Sequence, residues 1–306
     1  MGLVKRFVFL GSKELGLEVL RTTWRLRPEA LQAVITFDDS ADTRSVLQQF
    51  VAFGEVTGVP VHVAKNSRHA EEIVTSVSPD LCLVVCWYWL LSESVIQMLP
   101  AGSIGVHNSL LPKYRGGSPL VWAIINGETE AGFSLFSFAQ EMDEGDVWLQ
   151  ETVGISPRDT IDMVSHNIQH KLLETLDARW CALLDGEIRP NRQRHELATY
   201  CAQRFPGDSR IDWHWSAERI FNFIRALSPP YPPAFISYQD KQILVAEADV
   251  FERPYFGMPG QVARAGDAGV FVVCGDNRAV VLKTLIVDGV RQPARNVFPS
   301  IKIRLD

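Results

Sequence analysis

Residues 6–107 alternate short apolar runs with longer amphipathic ones, and this alternation constrains the fold more than any other feature of the chain. The runs "RFVFLG", "LQAVITF", "VPVHVA", "DLCLVVCW" and "GSIGVH" read as strands, while residues 13–23, 43–57, 68–77 and 92–98 between them carry helical patterns. Strands that are apolar on both faces and separated by helical segments imply βαβ units. The expected fold is therefore α/β, with an N-terminal, mostly parallel twisted sheet and helices on both faces. Ligands in such sheets bind beyond the carboxyl ends of the strands. The ends to watch are Gly11 and Ser12, residues 86–89, and His107 onward.

Further along, "AGFSLFSF" and "GDVWLQETVGI" read as two more strands flanking a loop at 139–146, and a helical pattern covers 158–184. Residues 185–210 are polar and irregular, as a linker would be. "IDWHWSAERIFNFIRAL" reads as a helix with Asp212 as its N-cap and with Trp213 and Trp215 as core packing. From residue 229 the pattern changes to short β-like runs, which suggest a smaller C-terminal β-rich, barrel-like (OB-like) domain. The expected division is a domain at 1–190, a linker at 191–210 and the β-rich domain at 211–306. "FLGSKELG" holds Gly11 and Gly16 without the full GxGxxG pattern, so it is read as a tight strand-to-helix turn.

With 306 residues, two domains of ordinary size fit the chain, and 46% hydrophobic with 22% charged residues is a globular composition. No apolar run reaches the length of a membrane span. The N-terminal run is too short for a signal peptide, and Arg6 stands where a myristoylation motif wants Ser or Thr; the expected location is cytoplasmic, with no membrane partner. Cysteines 82, 86, 181, 201 and 274 form no CxxC pair and no zinc-like spacing, so they read as reduced thiols, and no metal is expected. A net charge of −6 gives no electrostatic footprint for nucleic acid.

Three groups could carry chemistry. His107 stands at the end of a strand before the turn-rich "NSLLPKYRGGSP", where a histidine is either structural or catalytic. Asp143, in "EMDEGD", is by default a solvated turn residue, although an imidazole oriented by a carboxylate is a common acid/base unit. His166 and His170 share one helical face and could suit a metal, but they lack HExxH and a third ligand, which favours a polar helix face.

The segment "VHNSLLPKYRGGSPLVWAIINGETEAGFSLF", then "MDEGD" and "IDWHWSAERIFNFIRALSPPYPPAF", closely resembles the folate-dependent formyltransferase family. That family includes methionyl-tRNA formyltransferase and the sugar N-formyltransferases. The likeness is strongest to the nucleotide-sugar N-formyltransferases, such as the domain acting on UDP-4-amino-4-deoxy-L-arabinose. The resemblance implies a formyltransferase catalytic domain at 1–190, of Rossmann-like fold, and 10-formyltetrahydrofolate as co-substrate. It places His107 and Asp143 on two members of the family's Asn, His, Asp group and Gly105 on the third, the position of the family Asn. Folate would lie against Cys86, Trp87, Tyr88, Trp89, Leu90 and Leu91, and against Ala139, Gln140, Glu141 and Met142. The acceptor would lie against Ser109, Leu110, Leu111, Pro112, Arg115 and Gly116. Trp87, Tyr88 and Trp89 make the first loop bulky, either narrowing the pterin pocket or simply packing. Pro233 stands where the family often has glycine.

An acidic chain with "FDDSADTRS" in place of a basic loop disfavours transfer RNA as acceptor. The expected acceptor is the primary amine of a nucleotide-linked amino sugar, with Arg115 either facing its diphosphate or bonding loop carbonyls. A homodimer is left open. Two alternatives stand beside this reading: a folate- or nucleotide-sugar-binding homologue impaired by Gly105, and a transferase of another one-carbon or acyl group. In this chain Gly and Asn have changed places around His107. Asn108 is therefore a candidate compensating amide, and Gly105→Asn is expected to raise transfer while Asn108→Gly lowers it.

Overall fold

The computed structural model describes residues 3–229, 231–239 and 241–305. Residues 1, 2 and 306, the ends of the two expected domains, and Pro230 of the "PPYPPAF" run lie outside the described residues. Contacts divide the chain into two compact units, one of Met1–Arg115, Gly132–Val153 and Asn167–Tyr200, the other of Gly116–Ala131, Gly154–His166 and Cys201–Asp306.

The first half of the chain follows the alternation in its sequence. Strands β1 (Phe7–Gly11), β2 (Leu31–Phe37), β3 (Val61–Ala64), β4 (Leu81–Val85) and β5 (Ser103–His107) are joined by helices α1 (Lys13–Leu26), α2 (Leu47–Thr57), α3 (Ser67–Val77) and α4 (Glu93–Met98). Then come β6 (Arg115–Gly116), α5 (Pro119–Ile125), β7 (Glu130–Ser137), β8 (Val147–Gly154), α6 (Ile161–Leu184) and β9 (Tyr200–Cys201). The sheet order is β3-β2-β1-β4-β5-β7-β8, parallel from β3 to β5 and antiparallel between β5 and β7.

This order reverses direction between β1 and β4. Right-handed crossovers therefore put α1 and α2 on one face and α3 and α4 on the other. The packing agrees. Val8, Leu10, Ala33, Ile35, Cys82 and Val84 form one core with Ala70, Ile73 and Val74 of α3 and Val95 of α4. The alternate residues face the other way, Phe9 stacking on Phe50 of α2 and Phe7 meeting Trp180 of α6 edge-on at 5.3 Å. Burial on both faces explains why these strands are apolar without alternation.

Helix α6 begins at Ile161 and not at residue 158, and two further helix starts differ from the sequence reading for local reasons. Helix α2 begins at Leu47 and not at residue 43, because Asp42 and Ser45 spend their side chains on the local loop: Asp42 accepts from the Arg44 backbone N–H at 2.9 Å, and Ser45 Oγ bonds Asp39. In the second unit, helix α7 (Ala217–Ala226) is capped by Ser216, which accepts from Arg219 N at 3.2 Å. Asp212, read as that cap, instead accepts from the backbone N–H of His214, two residues on, in a turn of its own. Trp213 is buried, as core packing requires. Helix α5 went unread because seven residues are too few for a helical period.

The C-terminal part is β-rich, as its short β-like runs imply, and its strands pair antiparallel. It contains β10 (Phe235–Tyr238), β11 (Lys241–Phe251), β12 (Val262–Gly266), β13 (Gly269–Val273), β14 (Ala279–Val287) and β15 (Val290–Pro293), then α8 (Ala294–Val297). The strand order is β10-β11-β14-β13-β12, with β15 pairing β14. No helix among the described residues is long and apolar enough to cross a membrane.

Candidate active site

All the candidate residues from 86 to 143 except Gly116 belong to the first unit. His107 is the last residue of β5, where the strand ends and a bend begins at Asn108. Its side chain is 10% exposed and that of Asp143 21%, and Nδ1 lies 3.6 Å from Asp143 Oδ2. That separation is ion-pair reach rather than a formed hydrogen bond. The other ring nitrogen, Nε2, lies 2.7 Å from the backbone carbonyl of Tyr114. Both ring nitrogens thus face oxygen acceptors, and a neutral imidazole, with one N–H, can donate to only one of them.

The loops around the histidine hold strained backbone. Cys86 (φ 52°), Tyr114 (φ 58°) and Asp143 (φ 52°) are left-handed without being glycine. Each such residue costs about 1–2 kcal/mol, which the surrounding bonds must offset. The left-handed turn at Tyr114 accompanies the carbonyl that meets His107.

The loop after His107 is fastened from below. Ser134 Oγ donates to Ser109 O at 2.7 Å and accepts from Leu111 N at 3.1 Å, and Gln150 Nε2 donates to Leu111 O at 2.9 Å. Ser109 Oγ donates to Lys113 O at 2.7 Å, and the Leu111–Pro112 peptide is cis. Of the six residues expected against the acceptor, Ser109 and Leu111 are thus buried parts of the loop itself, while Leu110, Pro112 and Gly116 are half-buried. Arg115 is 2% exposed. Its guanidinium donates to Gln193 Oε1 (2.8 and 3.2 Å), to Tyr200 Oη (3.2 Å) and to His195 Nδ1 (3.0 Å). This charge fastens the segment around 193–200 and is enclosed by it.

The loop after β4 answers the question of its aromatics. Trp87 and Trp89 pack on Phe37 at the end of β2, with centroids at 5.3 and 5.1 Å, and they extend the core over α3 and α4. Tyr88 and Leu90 are 61% and 90% exposed, and Leu91 is buried. Burial pushes the Cys86 thiol up to about 11, which keeps it protonated and unreactive at neutral pH. Across the edge, Ala139, Gln140, Glu141 and Met142 are all exposed.

A second charged group, unmarked by any sequence pattern, lies at the end of β1. Lys13, left-handed at φ 62°, reaches Asp39 at 2.6 Å and Asp42 at 2.8 Å. Burial acts to lower its pKa, but the bonds to the two aspartates prevail and leave it raised. Asp42 in turn is held well below the usual carboxylate range by Arg44 and then Lys13. Among the described residues no set of three His, Cys, Asp or Glu could hold a metal ion, and His170 lies 3.4 Å from Glu174 on an exposed stretch of α6.

Gly105 sits two residues before His107 on β5, on the same face of the strand. A Cβ built there would clash with the edge of the Phe138 ring, with Cζ at 2.9 Å and Cε1 closer still. The position that the resemblance assigns to an amide is therefore filled by an aromatic edge. Asn108 Oδ1 is buried with no hydrogen-bond partner.

A doubly wound sheet whose order reverses between β1 and β4 defines an α/β protein, of the class in which ligands generally bind at the carboxyl edge of the strands. The family model described as formyl transferase matches residues 24–177, and that of the formyl transferase C-terminal domain matches 205–299. The chain belongs to the formyl transferase family. Among solved structures it is similar to HypX from Aquifex aeolicus in complex with tetrahydrofolic acid (TM-score 0.63, 18% identity, covering 96% of this chain and 46% of that one). It is similar also to the N-formyltransferase from Helicobacter canadensis with folinic acid and dTDP-3-aminofucose (TM-score 0.68, 15% identity, covering 92% and 99%). A third is methionyl-tRNA formyltransferase from Clostridium thermocellum (TM-score 0.58, 19% identity, covering 80% and 93%). The chain spans about half the length of the HypX chains it matches.

Proposed function

We propose that the protein transfers the formyl group of 10-formyltetrahydrofolate to the primary amine of a nucleotide-linked amino sugar. Within this reading, residues 1–190 are the catalytic domain, 191–210 a linker and 211–306 the C-terminal domain. The observation that carries it is the His107–Asp143 pair at the carboxyl edge of β5, in a chain of the formyl transferase family. The edge also offers the surface a flat heterocycle needs: Tyr88, Leu90 and Met142 present large exposed side chains on two loops.

The folate supplies the formyl group as an N10 amide. A new C–N bond forms between the acceptor nitrogen and the formyl carbon, the C–N10 bond breaks, and one proton passes from the acceptor amine to N10. With Nε2 donating to Tyr114 O, Nδ1 is the ring nitrogen left to take up that proton and, once protonated, to donate to the oxyanion of the tetrahedral intermediate. Asp143 orients the imidazole and stabilises its charged form. The negative net charge favours a small acceptor over transfer RNA, whose phosphates would need neutralising. Arg115, with its guanidinium enclosed, leaves the acceptor's diphosphate to other groups.

Two measurements test this. Calorimetry with 5-formyltetrahydrofolate, an unreactive isomer of the donor, is expected to give binding heat and a raised melting midpoint, about 2.7 kcal/mol of stabilisation at a hundredfold excess over Kd. Absence of both at about 1 mM would remove the folate reading. A mass-spectrometric screen of UDP-, dTDP- and GDP-linked amino sugars is expected to find a product about 28 mass units heavier. Formylation of charged tRNA or free amino acids instead would make the sugar assignment wrong.

One observation favours a second reading, a folate- or nucleotide-sugar-binding homologue without turnover: the ring of Phe138 fills the space over Gly105. Binding without any formylated product in the same screen would select it.

A further inference from the structure

The segment after α6, which the sequence presents as a linker, carries a glutamine that touches the backing of both halves of the His107–Asp143 pair. Gln193 is 7% exposed. Its Oε1 accepts from Arg115 Nη2 at 2.8 Å and Nε at 3.2 Å, and its Nε2 donates to Asp143 O at 2.8 Å and Gly145 O at 2.6 Å. A side-chain amide has two N–H donors and one oxygen with two lone pairs, so all four of its positions are used. The partners also fix its orientation. Guanidinium only donates and backbone carbonyl only accepts, so exchanging the ends of the amide would oppose donor to donor and acceptor to acceptor.

Each end of this bridge leads to one ring nitrogen of His107. Arg115 follows Tyr114, whose carbonyl meets Nε2, and Asp143 carries the carboxylate that faces Nδ1. Both Tyr114 and Asp143 are held in the left-handed region, which isolated chains avoid. Gln193 is itself delivered by a fixed backbone. Two residues earlier, Asn191 pairs with Val147 at the start of β8 through reciprocal bonds of 2.8 Å. Six residues later, Thr199 O accepts from Arg115 N at 2.8 Å and Thr199 Oγ1 from Tyr114 N at 2.8 Å.

We propose that Gln193 is a positioning residue for the His107–Asp143 pair, locking the loop after β5 and the Asp143 loop at one separation. The proposal rests on the formyl-transfer reading for its rate effects, and on geometry alone for its effect on His107. It assigns to the 191–200 segment a part in the active site of the first unit.

The test uses two variants of the full chain. Gln193→Glu keeps an acceptor for Arg115, so the buried guanidinium stays paired, but it turns an oxygen toward the carbonyls of Asp143 and Gly145. Gln193→Met removes both sets of bonds. The readouts are kcat and KM for the formyl donor, the melting midpoint, and the His107 ring signals by NMR, assigned by their loss in His107→Asn. The expected result for Gln193→Glu is a folded chain with a lowered midpoint, because two backbone carbonyls lose their donor, together with a kcat lower by about a hundredfold, a KM within about threefold, and shifted His107 signals; displacing a reacting group by about 1 Å has a cost of that order. A purely structural glutamine would leave kcat and the His107 signals of Gln193→Glu unchanged while lowering the midpoint of Gln193→Met, and that pattern overturns the proposal. Failure of Gln193→Met to fold leaves the decision with Gln193→Glu. A wild type that formylates no acceptor defeats the functional reading instead, and the NMR comparison then decides the positioning role alone.

Discussion

His107→Ala is expected to lower formyl transfer by about 10²–10⁴-fold, with the chain still folded, when turnover of the formyl donor is followed alongside the melting midpoint. The substitution removes the one side chain at the end of β5 that can hold a proton at the carboxyl edge, and Asp143 is left with no imidazole to orient. The fold should survive. The lost Nε2 contact to Tyr114 O is worth about 1 kcal/mol, and Tyr114 and Arg115 remain tied to Thr199 by their backbone N–H groups. Asp143→Asn keeps size and polarity and removes only charge, so its expected loss is smaller, about 10²-fold. Turnover near the wild-type level in His107→Ala would take this mechanism away even if folate still bound.

How much of this was legible in the sequence depended on whether a feature is local. The five parallel strands were readable because burial on both faces writes a continuous apolar run, as in "LQAVITF", and β2 occupies that run from Leu31 to Phe37. His107 and Asp143 were readable as candidates because His107 ends a recognisable strand, Asp143 lies in the loop after another, and both fall in motifs of the resembled family. The helix starts were less legible, since Asp42 and Asp212 are as well suited to local turns as to caps.

Gln193 and Phe138 were not legible at all. A buried amide bonded across long sequence separations leaves no periodicity, and "NRQRHELATY" is as polar as any linker. Arg115 shows the same limit. An arginine in a loop reads as an available charge, and only its enclosure by Gln193, His195 and Tyr200 reveals a fastener. Phe138 looked like the end of an apolar strand, and its meeting with Gly105 comes from strand pairing, since Gly105 lies opposite Phe136 and the Phe138 N–H bonds Ser103 O at 2.8 Å.

That meeting reverses the simplest expectation for Gly105. Read from the sequence, Gly105→Asn restores a donor and raises the rate. In the fold, the new Cβ would have to displace the Phe138 ring, which packs on Phe136 at 5.6 Å and joins two core clusters. Forcing side-chain atoms into filled space costs about 1–3 kcal/mol, so Gly105→Asn alone is expected to lower the melting midpoint and bring no gain in rate. The pair Gly105→Asn with Phe138→Ala empties the space first. Because residues 105 and 107 share a strand face, the new amide would stand beside His107, where one oxyanion donor is worth about 10²–10³ in rate. The expected result is turnover at least about tenfold above both the wild type and Phe138→Ala, with the latter as the control for a merely widened site. Asn108→Gly completes the set. Its Oδ1 is buried without a partner, so a clear fall in rate would mean that the Nδ2 end already serves the oxyanion and that the double variant adds a second donor. If the double variant folds and gains nothing, while Asn108→Gly is silent, transfer here proceeds without a side-chain amide, and His107 carries the oxyanion with backbone N–H groups.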